Sequence, residues 1–196
     1  MNRSMEQMCN ELLETAIQMW ERDGAVITTS FAIGHSRSLF AQPVTAEGCT
    51  VDAEARVRIH ARLAAAVGAV FLGRIDESFI AYRAPEDEPL RRGDLERLAE
   101  TDPTIKTALV VQAMDASSHD SLVAVGILEV GDDGEPDWSY QMFDDPEGSI
   151  IAECRAAVAI AEDTIIPLTD IQLREELREM GWTVADSDQD VPDEDE

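Results

Sequence analysis

The chain has 196 residues, of which 41 are acidic and 15 are basic, so its formal net charge is −26. Binding to nucleic acid or to an anionic membrane surface needs clustered lysine and arginine side chains, and this balance therefore excludes both as partners. The longest apolar run, residues 63–73, is shorter than the roughly 20 residues that a membrane-spanning helix needs.

Hydrophobic periodicity and turn residues divide the chain into helices, strands and loops. Helices are predicted over residues 4–22, 52–67, 94–100 and 149–162, and from 169 or 170 to a stop at Gly181. Strands are predicted over residues 25–33, 37–42, 69–83, 107–114, 122–130 and 138–143. Residues 84–93 are predicted to form a loop, and Gly73 indicates a bulge or bend in the long third strand.

This element order, α-ββ-α-β-(short α)-βββ-α-α, lacks the regular alternation of strands and helices that builds a parallel sheet. We therefore predict an α+β fold in which about six antiparallel strands carry helices mainly on one face. Residues 1–184 are expected to form one domain, since a hydrophobic share of 44% is ordinary for a globular chain. Residues 185–196 carry seven acids and too few apolar side chains to form a core. We therefore predict a disordered tail there.

Two loops carry groups that are typical of catalytic sites. Residues 34–38, G-H-S-R-S, differ at the last position from the G-x-S-x-G elbow that would make Ser36 a nucleophile, and a strand instead of a helix follows. We therefore interpret them as a hairpin turn. The loop over residues 115–120 holds two serines and His119, which are too close in sequence to reach the geometry of a Ser-His-Asp triad. We expect that loop to be solvated.

The three cysteines, Cys9, Cys49 and Cys154, are an odd number without close spacing, so they do not form a disulfide framework. Reduced thiols are typical of the cytoplasm, where we expect the protein to act. The apolar helix around Cys154 predicts a buried and therefore unreactive thiol.

No metal site or cofactor motif is predicted. The three histidines include no pair at helical spacing, and the acids of residues 132–137 lack the alternate spacing of a calcium loop, so we interpret them as a charged hairpin tip. One stretch of the chain is locally basic, and we expect its arginines to pair with the acids of the second half instead of binding an anion or a partner protein. These arginines are Arg56, Arg58, Arg62, Arg91, Arg92 and Arg97.

Residues 53–143 resemble a group of uncharacterised bacterial and phage α+β proteins. The matching features are an Ala-rich helix leading into a strand over residues 64–82, the element Glu100-Thr101-Asp102-Pro103, and a strand over residues 107–113. The group has no assigned activity, so the resemblance implies a fold and a relation to phage or mobile-element proteins. It transfers no catalytic residue.

Acidic residues concentrate in the second half of the chain. Residues 1–100 hold 16 acids and 11 bases, whereas residues 101–196 hold 25 acids and 4 bases. We therefore expect a soluble protein without catalysis, metal or cofactor, whose function is to bind another protein, favouring a basic one. The candidate contact residues are Glu129, Asp132, Asp133, Glu135, Asp137, Asp144, Asp145 and Glu147.

Three alternatives stay open. The carboxylates could imitate nucleic-acid phosphates and inhibit a DNA-binding protein, which would require one continuous acidic stripe. A hydrolase with Ser36 or Cys154 as nucleophile would require one of these side chains to meet a histidine in a pocket. Adaptation to high internal salt, as in a halophile, would explain the surplus of acids without a specific partner.

Overall fold

The computed structural model describes residues 4–45, 52–81, 98, 102, 104–131, 136–144, 148–162 and 168–187. The predicted loop over 84–93, most of the predicted short helix over 94–100, and residues 188–196 of the predicted tail lie outside these ranges. So does Cys49.

Four helices and seven strands are present in the described residues. The helices are α1 (Met5–Asp23), α2 (Ala53–Val67), α3 (Ser149–Glu162) and α4 (Asp170–Glu179). The strands are β1 (Thr29–Ile33), β2 (Ser38–Pro43), β3 (Phe71–Ala81), β4 (Ile105–Asp115), β5 (Ser121–Val130), β6 (Pro136–Asp144) and β7 (Trp182–Asp186). None of these helices combines the length and the apolar character that crossing a bilayer requires.

Side-chain caps fix where three of the helices begin. Ser4 accepts a hydrogen bond from the backbone of Gln7, whose side chain bonds back to Ser4, and Thr169 heads α4 in the same reciprocal way. Asp52 caps α2 by accepting from the backbone nitrogen of Ala55. Each cap satisfies backbone donors that have no partner within the first turn of a helix.

The strands form one antiparallel sheet in the order β6-β5-β4-β3-β1-β2-β7. The predicted α+β class and antiparallel sheet are confirmed, with seven strands instead of about six. The additional strand is β7, which pairs with β2 from Pro43↔Trp182 to Leu39↔Asp186. This strand has only five residues, two of them polar. Such a short alternation of apolar and polar residues is not enough to predict a strand. The prediction that the acidic tail begins at residue 185 is therefore wrong by two residues, because Ala185 and Asp186 belong to β7.

The predicted bulge at Gly73 is also wrong. The register between β3 and β4 runs without interruption from Phe71↔Asp115 to Ala81↔Ile105. A Cβ atom at Gly73 would lie 2.0 Å from the carbonyl oxygen of Gln112 and 2.6 Å from the ring of Phe31. The glycine therefore provides space for a neighbouring strand and an aromatic ring, while the strand stays regular.

Helices cover both faces of the sheet, three of them on one side. The helices α2, α3 and α4 pack on a face that includes Leu72 and Met114, which we call the three-helix face. Helix α1 packs on the opposite face, which includes Phe31 and Val111 and which we call the α1 face. Alternate residues of each strand serve the two cores, as the two-residue period of a strand requires.

Candidate functional site

Strand β6 is a long strand at one end of the sheet in the part of the chain that the structure describes. Among the described residues it pairs with β5 alone, and it extends over nine residues, or about 30 Å at 3.4 Å per residue. The opposite edge, β7, has only five residues, and the guanidinium of Arg174 donates to the carbonyl oxygen of Val184 there. Natural proteins usually keep edge strands short or covered because an open edge can pair with another chain.

The α1 face of β6 carries an ordered series of side chains at alternate positions. Trp138 packs edge-to-face against Trp20 of α1 with ring centroids 5.4 Å apart, and its indole nitrogen donates to Glu21 at 3.2 Å. Tyr140 and Met142 follow and are 59% and 37% exposed. Asp144 is exposed at the end of the strand. We call Glu21, Trp138, Tyr140, Met142 and Asp144 the β6 row; it has a carboxylate at each end and apolar side chains between them.

Helix α1 approaches the sheet closely because β5 has small residues beneath it. Gly126 pairs with Tyr140, and a Cβ atom at Gly126 would lie 3.3 Å from Ile17 and 3.5 Å from the ring of Trp138. The helix thus covers β5 and reaches Trp138, while the next two members of the β6 row extend beyond its cover. Of the eight exposed large hydrophobic residues among those described, four lie on β6 or at the end of β5: Val130, Tyr140, Met142 and Phe143.

The acids at this edge could be identified from the sequence, whereas its apolar residues could not. Residues 138, 140 and 142 are apolar, and Ser139 and Gln141 lie between them. That alternation predicts a strand with one apolar face, which is ordinarily assigned to the core. Only the position of β6 at the end of the sheet leaves the face partly uncovered.

Three of the eight predicted contact acids lie in the described residues, on different faces. Glu129 and Asp137 are directly opposite each other on the three-helix face, and Glu129 bonds to the ammonium group of Lys106 at 2.7 Å. Asp144 lies on the α1 face at the other end of β6. These three therefore do not form one row. Asp132, Asp133, Glu135, Asp145 and Glu147 lie outside the described residues.

A cleft of about 850 Å³ brings together the two loops with catalytic-type residues. Its wall includes residues 33–38, part of the 115–120 turn, and Ser4 at the start of α1. The hairpin prediction for residues 34–38 is confirmed, since Gly34 bonds to Arg37 across the turn between β1 and β2. Ser36 and His35 are exposed, and among the described residues no hydrogen bond joins Ser36 to a histidine.

The serines of the second loop serve the turn itself. The hydroxyl of Ser117 donates to Asp115 at 2.6 Å, and that of Ser118 donates to Asp120 at 2.8 Å. Partial burial opposes ionisation of Asp115, but hydrogen bonds from Ser117 and Ser118 together outweigh it and hold the pKa of Asp115 below its usual value. His119 has a left-handed backbone with φ of 64° and is exposed, as a solvated loop predicts.

Arg37, within the elbow-like turn, has a structural role. Its guanidinium donates to both carboxylate oxygens of Asp170 at 2.8 and 2.9 Å and to the carbonyl oxygen of Ala66 at 3.0 Å. A carboxylate oxygen of Asp186 lies 3.8 Å away. Arg37 thus ties the β1–β2 turn to the end of α2, the start of α4 and strand β7.

The prediction that Cys154 is buried is confirmed. Its side chain is 0% exposed in the core between α3 and the sheet, and burial raises the pKa of its thiol to about 12. A thiol that stays protonated at neutral pH is a poor nucleophile. Cys154 does not line the cleft that holds Ser36.

Buried polar groups join α2 to α3 and to the sheet. The Arg56 guanidinium makes three contacts of 2.7–3.1 Å with the carboxylate of Glu153, whose side chain is 7% exposed. His60 is fully buried, and its two ring nitrogens lie 3.1 Å from the carbonyl oxygens of Arg56 and Gly73. Burial lowers the pKa of His60, which favours the neutral ring at pH 7.

The predicted pairing of arginines with acids of the second half is confirmed at two positions. Arg56 pairs with Glu153, and Arg62 pairs with Glu176 of α4 at 3.0 Å. Arg58 pairs instead with Glu54 one turn earlier on α2. The three remaining arginines, Arg91, Arg92 and Arg97, lie outside the described residues.

Metal ligands do not cluster in the described part of the chain, where no three His, Cys, Asp or Glu side chains lie close enough together to hold an ion. No family model, curated protein or solved structure matches this chain. The resemblance of residues 53–143 to uncharacterised bacterial and phage proteins therefore stays a prediction.

Proposed function

We propose that this chain is a non-catalytic protein that binds a basic protein partner through the edge formed by β6. The observation that carries this proposal is the β6 row, in which two partly exposed apolar residues, Tyr140 and Met142, lie between the carboxylates of Glu21 and Asp144. Interfaces typically combine an apolar centre with a charged or polar rim, and this edge has that composition.

Charge would assist such an encounter over a longer range. A net charge of −26 attracts a basic partner and raises its association rate. The effect extends about 10 Å at 0.1 M salt and about 3 Å at 1 M, so it is strongest at low ionic strength. The apolar part of the contact does not share this dependence, and binding is expected to weaken with salt without vanishing.

A hydrolase has less support from the described residues. Within the described ranges Ser36 has no hydrogen bond to a histidine, and the thiol of Cys154 is buried with its pKa raised to about 12. A nucleic-acid mimic has less support too, because Glu129 and Asp144, two of the acids that would have to form one continuous stripe, lie on opposite faces of the sheet. A cytoplasmic location remains part of the proposal, and the free thiols of Cys9 and Cys154 suit a reducing compartment.

The test is capture of partners from an extract of the producing cells at 0.1 and 0.5 M salt, followed by binding measurements with the purified partner. We expect Glu21→Gln/Asp144→Asn, which removes the carboxylate at each end of the β6 row, to raise Kd about tenfold, because exposed interface charges each contribute modestly. The matched control is Glu175→Gln/Glu179→Gln, which changes net charge equally at exposed positions on α4 and should change Kd less than about twofold.

Equal weakening by the two double variants would contradict the proposal, since binding would then follow net charge alone. If the protein turns over a substrate and Ser36→Ala abolishes that turnover, the proposal is also overturned, and the protein is a hydrolase.

A further inference from the structure

We infer that the partner binds as an added β-strand along the outer side of β6, and that the strand carries a basic residue at each end of two alternate apolar residues. This inference rests on the proposed function and specifies the partner that the edge recognises. In letters, the expected segment is +xΦxΦx+, where + is Lys or Arg and Φ is apolar.

The backbone of β6 supplies the first half of this inference. Within an antiparallel sheet, alternate residues of an edge strand direct their N–H and C=O groups away from the neighbouring strand. Among the described residues β6 has a strand on one side only. Addition of an extended segment is the mode of recognition that an unpaired edge favours, because main-chain hydrogen bonds give affinity while alternate side chains give specificity.

The β6 row supplies the second half. Residues 138, 140, 142 and 144 succeed one another on the α1 face, so a neighbouring strand would place its own alternate residues beside them. Tyr140 and Met142 favour apolar neighbours, and Asp144 favours a basic one. Beside Trp138 the carboxylate of Glu21 favours a cation. The resulting pattern reads the same in both directions and so holds for either strand orientation.

A second copy of this chain suits the edge less well. Each copy has a net charge of −26, so two copies repel each other, whereas a basic segment is attracted. On the other face of β6, the alternate residues Ser139, Gln141 and Phe143 carry no charge. The x positions of the added segment would lie beside them, so no charged residue is required there. We therefore assign the edge to a basic segment of another protein.

The direct test uses the capped peptide Lys-Thr-Val-Thr-Val-Thr-Lys with the intact chain. We expect saturable binding by calorimetry and slower amide hydrogen exchange in residues 136–144, with no change in β7. The matched peptide Lys-Val-Thr-Thr-Thr-Val-Lys has the same composition but the wrong alternation, and it should bind at least about tenfold more weakly. Binding of both peptides with equal Kd would overturn the inference.

Backbone methylation separates strand addition from docking by side chains alone. One peptide is N-methylated at its third and fifth residues, and another at its second and fourth, so that each loses donors along a different edge. Strand addition uses one edge of the peptide, and we expect one of the two to bind at least about tenfold more weakly than the other. If the two methylated peptides lose the same affinity, or if neither loses any, the inference is overturned.

Protein variants locate the contact. Met142→Lys should weaken peptide binding about tenfold or more, because it places a cation between apolar neighbours. Ile171→Lys is the matched control, since Ile171 is 71% exposed on α4 and the charge change is equal. Far-ultraviolet circular dichroism would verify that both variants fold. Equal binding by the wild type and Met142→Lys would exclude the β6 row.

Two outcomes distinguish this inference from the proposed function. If a captured basic protein binds and the peptide neither binds nor competes with it, the inference fails while the proposed function stands. If no basic protein binds, both fail. If the wild type sediments as a dimer and the Met142→Lys variant as a monomer, the edge binds a second copy of the chain. That result would overturn the inference.

Discussion

Gly34 shows how a single residue sets the contact between two elements. It lies in the turn between β1 and β2, where that turn passes the end of α2. A Cβ atom on Gly34 would lie 2.3 Å from the carbonyl oxygen of Val67 and 3.2 Å from its Cβ atom. Any side chain there would push the hairpin away from the helix, and Arg37 in the same turn would lose its alignment with Ala66 and Asp170.

We expect Gly34→Ala to lower the free energy of unfolding by about 1–3 kcal/mol, the usual cost of forcing extra atoms into a packed site. Urea unfolding followed by circular dichroism would measure it. Ser36→Ala, two residues along the same turn and exposed, should change stability by less than about 0.5 kcal/mol. Equal midpoints for Gly34→Ala and the wild type would show that the helix moves away at little cost.

The turn at residues 34–38 could be predicted from the sequence, but the reason why it needs a glycine could not. Turn residues act locally, and their pattern is visible within a few positions. The contact with Val67 joins positions that are distant in sequence, and the carbonyl oxygen that excludes a side chain belongs to the backbone of another element. Local patterns carry no information about such an approach.

At the scale of elements, the pair between Arg56 and Glu153 joins α2 to α3. The carboxylate is 7% exposed and the guanidinium 25% exposed, so the pair is more shielded than the Arg58–Glu54 pair, whose side chains are 56% and 84% exposed. Removing one partner of a shielded pair costs more than the pair itself contributes, because the other charge stays desolvated.

We expect Glu153→Gln to lower the free energy of unfolding by about 2–4 kcal/mol, somewhat below the full cost of breaking a buried pair because Arg56 is partly exposed. Glu54→Gln makes the same chemical change in an exposed pair and should cost less than about 0.5 kcal/mol. Denaturant unfolding of both variants, with Arg56→Gln completing a double-mutant cycle, would measure the coupling. Equal costs for the two glutamate variants would contradict the role of shielding.

Most elements could be predicted from periodicity, and the exceptions have physical causes. Helix α1 has its apolar residues at helical spacing and a Gly24 stop, and both features are intrinsic to the segment. Strand β7 depends instead on pairing with β2, and its pattern of buried and exposed residues is too short to stand alone. The β6 row was missed because sheet order, which no local pattern encodes, decides whether an apolar face is covered.

At the scale of the whole molecule, the charge of −26 opposes folding by self-repulsion. Internal pairs such as Arg62–Glu176 and Lys106–Glu129 offset part of it. The number of charges could be counted from the sequence, but their distribution over two faces of the sheet could not, because a one-residue step along a strand reverses the face.

We expect the thermal midpoint to rise by several degrees between 0.01 and 0.3 M KCl and then to level off, because the screening length falls from about 30 Å to below 10 Å over that range. The quadruple variant Glu14→Gln/Asp137→Asn/Glu175→Gln/Glu179→Gln should show a smaller rise. A midpoint that continues to climb steeply toward molar KCl would indicate salt adaptation, and one that falls would show that ion pairs outweigh repulsion.

The pairing of β7 with β2 also sets when synthesis allows the fold to finish. Strand β2 ends at Pro43, and its partner begins at Trp182, about 140 residues later. Ribosomes add about 5–20 residues per second, so β7 is synthesised on the order of ten seconds after β2. During that time the outer side of the β1–β2 hairpin has no β7 to pair with. Trp182, one of the largest buried side chains, arrives at the same late moment. While those intervening residues are being made, the nascent protein therefore has a temporary sheet edge beside an unfilled core.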